Sequence, residues 1–60
     1  GIGWIDGRLW LYLGKMPVGL LDRVLWNGTT FRVRSSRPYY IGETLTYWWA
    51  SLEAEREAAV

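Results

Sequence analysis

Cysteine and histidine are both absent from this chain of 60 residues. Disulfides are therefore excluded, and so is a zinc site of the usual Cys/His kind. The side chains that most often serve as nucleophile or general base are missing too. Net charge is only +1, too little to mark the whole chain as a binder of nucleic acid or membrane. The longest apolar run, residues 9–13, is far short of the ~20 residues of a membrane span, and nothing reads as a signal peptide. The first residue is Gly1, not Met, so the chain is expected to be processed or part of a longer polypeptide.

Aromatic residues are plentiful instead. Five Trp, four Tyr and one Phe stand among 60 residues. A chain this short buries only about 60% of the surface its unfolded form exposes. Chains of this size usually gain stability from disulfides, a metal or a partner. With the first two excluded, a partner is expected, and aromatics are enriched at the centres of interfaces.

The pattern along the chain is nearly all β. "RLWLYL" (8–13) is bounded by Gly7 and Gly14. "GKMPVG" (14–19) reads as an irregular connection. "LLDRVLW" (20–26) is a strand, and Asn27-Gly28 after it is the strongest short hairpin signal, because both residues tolerate positive φ. "TTFRVRS" (29–35) is the return strand. Pro38 cannot donate to a ladder, so it should mark a bend, bulge or edge. Gly42-Glu43 is a second tight turn, and "TLTYWWASL" (44–52) is the last strand. Residues 53–60 read as a short tail, helical or disordered, and residues 1–7 as a flexible end. The expected fold is a single all-β domain: a small antiparallel SH3-like β-barrel over residues 8–52.

Closing the hairpin at Asn27-Gly28 sets Val24 opposite Phe31 and Arg23 opposite Arg32. Directly opposed like charges are destabilising, so an acidic group or a phosphate is expected beside them, unless both splay into water. On the last strand, side chains alternate between faces. Trp48, Ala50 and Leu52 are assigned to the core. Leu45, Tyr47 and Trp49 point outward, toward a neighbour.

Catalysis has little support. Asp6 and Asp22 are the only carboxylate pair worth weighing, and such residues more often cap turns or pair with arginine. No enzyme activity, cofactor or metal is expected. Arg23, Arg32, Arg34 and Arg37 interleave with Phe31, Tyr39 and Tyr40, the composition of a surface that contacts phosphate or an acidic partner. A solvated face is the plainer reading of the same residues.

Residues 22–53, "DRVLWNGTTFRVRSSRPYYIGETLTYWWASLE", resemble small head–tail connector proteins of tailed bacteriophages, of the head-closure or stopper type. The elements that carry the resemblance are Asp22, Val24, Trp26, Gly28, Phe31, Val33, the bend at Arg37-Pro38-Tyr39-Tyr40, and the aromatic strand from Leu45 to Leu52. They cover about half the chain. The resemblance implies a virion protein forming a homo-oligomeric ring between portal and tail, with DNA passing through its lumen without sequence readout. The other reading, from the residues alone, is a monomeric SH3-like module that binds nucleic acid or a peptide.

Overall fold

The computed structural model describes residues 1–55. Five strands form one antiparallel sheet: β1 (Ile2–Asp6), β2 (Leu9–Gly14), β3 (Arg23–Trp26), β4 (Thr29–Ile41) and β5 (Thr44–Ala54). Their spatial order is β1-β2-β5-β4-β3. Three of the strand pairs are hairpins with two-residue turns. Their turn glycines, Gly7, Gly28 and Gly42, all take positive φ, and Asn27 does as well at 52°. The central hairpin has the register read from Asn27-Gly28: Val24 faces Phe31, and Arg23 faces Arg32.

One face of the sheet holds the core. Phe31, Val33, Ala50 and Leu52 are fully buried there, and Ile2, Trp10, Tyr12, Val18, Val24 and Ala54 pack against them. The sheet curls around these side chains. Trp10 on β2 and Trp26 on β3 are separated by two strands, yet their rings meet edge-on at 5.7 Å. Both lean on Phe31, at 5.4 and 6.5 Å.

The curl stops short of a barrel. No ladder joins β1 to β3. Residues 15–22, between β2 and β3, form no strand and carry a turn of their own. The Asp22 carboxylate accepts the Gly19 N–H at 2.7 Å, and the Asp22 N–H donates to the Gly19 carbonyl. Val18 of this loop still reaches the core.

Two further expectations are corrected. Residues 1–7 are not a loose end: Ile2–Asp6 is a strand paired with β2, and the turn between them is Gly7-Arg8, with Gly7 at positive φ. The last strand does not stop at residue 52, because Glu53 and Ala54 continue β5 opposite Arg32 and Phe31. The rest of the expected tail, residues 56–60, lies outside the described residues.

β4 and β5 run on past the other strands. β3 pairs with β4 only as far as Arg32, and β2 pairs with β5 only as far as Trp48. Beyond these limits the hairpin is a two-stranded ribbon, and the molecule measures 49 × 21 × 17 Å. Pro38 sits in the ribbon, where β4 has no neighbour on its β3 side. Its missing N–H can face that free edge without breaking the ladder to β5.

Candidate interaction surfaces

The face of β4–β5 opposite the core carries a row of matched pairs. Arg32 donates to Glu53 at 2.8 Å. Next, the Ser35 and Ser51 hydroxyls bond at 2.6 Å. Arg37 then lies 5.0 Å over the Trp49 ring. Last, Tyr39 and Tyr47 stack at 5.0 Å with planes 9° apart. Each pair joins residues that are directly opposite in the register, which is where cross-strand side chains interact.

Two bulges keep this row in line. Arg34 is an extra residue in β4, and Thr46 is an extra residue in β5. The second corrects the outward face read from alternation. Leu45 is opposite Tyr40, whereas Tyr47 is opposite Tyr39. Tyr39 and Tyr40 are neighbours on a strand and point to opposite sides. Leu45 therefore leaves the face that Tyr47 and Trp49 share. Strict alternation fails here because a bulge inserts one residue without a partner.

Trp48 shares the core face with Ala50 and Leu52 but lies beyond the fully buried cluster. It is half-buried, and so is Trp49. The Trp48 indole N–H is buried and meets no acceptor among the described residues.

The arginines divide into two groups. Glu53 is shared by Arg32 at 2.8 Å, Arg8 at 3.7 Å and Arg34 at 3.9 Å. Arg23 pairs with Glu55 at 2.5 Å. So the acidic groups expected beside the opposed Arg23 and Arg32 come from the chain itself. They lie at residues taken from the sequence as tail. The Arg32 hydrogen bond holds the Glu53 carboxyl below the usual carboxylate range; partial desolvation opposes this, and the charges of Arg34 and Arg8 assist. Arg37 is in none of these ion pairs and is engaged with Trp49 instead.

Asp6 and Asp22 lie on different elements. Asp22 caps its loop, while Asp6 ends β1 in another part of the sheet. No cluster of metal-ligating side chains occurs among the described residues.

The β1–β2 end has a feature that sequence reading missed. Residues 1–5 of β1 and its approach, with Leu11 and Leu13 of β2, line an open apolar trough of about 330 Å3; Gly3, Leu11 and Leu13 belong to the side away from the core. Gly3 gives it a bare floor, for nothing lies within 4 Å of where a Cβ would stand. The clue in the sequence was Gly7 between two apolar stretches, because a glycine at positive φ lets the chain turn back and makes residues 2–6 a strand.

In comparisons with known proteins, no family model, no curated protein and no solved structure matches this chain.

Proposed function

We propose that this chain is a structural assembly protein that acts by shape and carries out no reaction. It is a subunit that joins copies of itself and other components of a larger particle. The phage head-closure proteins that residues 22–53 resemble supply the specific version: a virion ring between portal and tail. The observation that carries the reading is the β4–β5 ribbon. It extends past the sheet and leaves Tyr39, Tyr40, Ile41 and Leu45 exposed. An isolated two-stranded ribbon is marginal in water, and exposed apolar surface of this kind marks a contact site. These exposed residues lie on both faces of the ribbon, and Tyr47 and Trp49 continue the Tyr39 face toward the sheet.

The SH3-like barrel belongs to this reading as well. The curled sheet is taken as such a barrel left open between β1 and β3. DNA is retained as a passing neighbour, not as a ligand to be read. Arg8, Arg23, Arg32 and Arg34 are already engaged by Glu53 and Glu55, which reduces what they offer to phosphate.

The reading is tested by mass in solution, from light scattering with and without DNA. Association of the chain alone is the expected result. A monodisperse monomer that binds DNA tightly would replace it with the runner-up, a monomeric SH3-like binding module.

A further inference from the structure

We infer that copies of this chain join edge to edge, the β1 strand of one adding in parallel to the β3 strand of the next. This rests on the assembly reading above and names its contact. The first ground is topology. All four ladders are antiparallel and the strands number five, so the two edge strands run in the same direction. Copies repeating by one rotation bring β3 of the first beside β1 of the second, parallel, with both core faces on the same side. The contact is heterologous, so it closes a ring if the rotation permits.

The second ground is the backbone. Gly1 and Leu13 exchange both hydrogen bonds between β1 and β2. Bonded pairs alternate along an antiparallel ladder, so Gly3 also bonds inward, and the N–H and C=O of Ile2 and Trp4 point outward. In the β3–β4 hairpin, Trp26 and Thr29 flank a two-residue turn and form its closing bonded pair. The outward groups on β3 are then those of Arg23 and Leu25. None of these four residues makes a backbone hydrogen bond outside the sheet's own ladders among the described residues. Neither strand carries proline or lysine; the devices that blunt an edge, the charge of Arg23 and the bulge before Asp6, lie at the strand ends and leave Ile2–Trp4 and Val24–Trp26 between them. The ribbon edge, by contrast, has Pro38.

The third ground is the fit of side chains. In a parallel ladder an outward-bonding residue lies opposite an inward-bonding one. That permits Ile2 opposite Val24, Gly3 opposite Leu25 and Trp4 opposite Trp26. On the core side, apolar residues meet apolar residues, and Trp4, 62% exposed, gains Trp26. On the other side, Leu25 is 76% exposed, and it lies beside the bare floor at Gly3, above the apolar trough. Shifting the register by two residues would set Ile2 against Asp22 and leave Leu25 outside the trough. Main-chain bonding along an edge, with pockets for alternate side chains, is a recurring mode of strand addition.

The test uses the full 60-residue chain made by chemical synthesis, with a single N-methyl group on the Trp4 amide or on the Leu25 amide. Each methyl removes one outward N–H and keeps the side chain and the internal ladder. Far-ultraviolet circular dichroism confirms that both chains fold. In sedimentation velocity the unmodified chain is expected to associate, and each methylated chain is expected to sediment as a monomer. A mixture of the two is expected to form a heterodimer and nothing larger, because each retains one intact edge. Continued dimerisation of the Leu25-methylated chain would show β1–β1 pairing and overturn the proposal. Persistent oligomers of both methylated chains would move the contact elsewhere and leave the assembly reading standing. An unmodified chain that stays monomeric at every concentration would remove self-assembly altogether. A methylated chain that unfolds would mean that its amide belongs to the internal ladder, which overturns the assignment of free edges.

Discussion

Arg37 lies across the sheet from Trp49 with its guanidinium carbon 5.0 Å above the indole. The pair covers the apolar face of a tryptophan that has no place in the fully buried core. An exposed cation–π contact contributes about 0.5–1 kcal/mol. Trp49→Ala is therefore expected to lower stability in urea only modestly and to keep the fold, while weakening association of the chain. Loss of folding in circular dichroism would place Trp49 among the core residues.

Phe31 is expected to be far more sensitive. It is fully buried and touches both Trp10 and Trp26. Truncating a buried Phe costs roughly 3–5 kcal/mol, a large fraction of the stability of any small domain. Phe31→Ala should give no cooperative thermal transition. Trp48→Ala should be milder, because that ring stands at the margin of the core.

The central turn is a third point of test. Gly28 has φ 79° and follows Asn27 at 52°. A β-branched residue resists this region, with strain of about 1–3 kcal/mol. Gly28→Val should lower the urea midpoint accordingly. An unchanged midpoint would mean that the hairpin does not depend on the turn.

Acid should act through Glu53. Its carboxyl is held below the usual range first by the Arg32 hydrogen bond. A group whose folded pKa is depressed stabilises fully above its unfolded value and loses that contribution as pH falls through the folded value. Stability should therefore begin to fall below the ordinary carboxylate value of 4.5. Glu53→Gln should be less stable at neutral pH and show a flatter profile in that acid window. An identical pH slope in the two chains would exclude Glu53 as the group responsible.

The proposed parallel contact predicts a cross-link. The chain has no native cysteine. Gly3→Cys mixed with Leu25→Cys should yield a disulfide-linked heterodimer under mild oxidation, read by mass spectrometry. A predominance of Gly3→Cys homodimers would favour β1–β1 pairing.

Much of the sheet was legible because its signals are local. Asn27-Gly28 fixed the register of Val24 and Arg23, since a two-residue turn leaves no freedom in the pairing. Alternation placed Ala50 and Leu52 inward. What escaped depended on distant partners or on single inserted residues. Thr46 is an ordinary strand residue, and nothing in its neighbours announces a bulge, so Leu45 was put on the wrong side. Glu53 opens a stretch rich in helix formers, yet Arg32 and Arg8 across the sheet draw it into β5. Residues 1–7 looked loose because three glycines suggest a flexible end, although one of them, Gly7, makes the turn to β2. Closure of a barrel was beyond local signals, because it depends on whether the two sheet edges meet.

The contact of Trp10 with Trp26 gives this curvature an optical signature. Two indoles 5.7 Å apart, with planes 61° from parallel, are close enough for their electronic transitions to couple, and a paired positive and negative band in circular dichroism is the expected result, to be assigned by comparison with Trp10→Phe. The bands depend on distance and mutual angle, whereas the backbone signal depends on the strands. Flattening the sheet should separate the two rings and remove the paired bands, leaving the strand contribution beneath them. The chain thus carries its own gauge of how far the sheet is bent, readable without any added label.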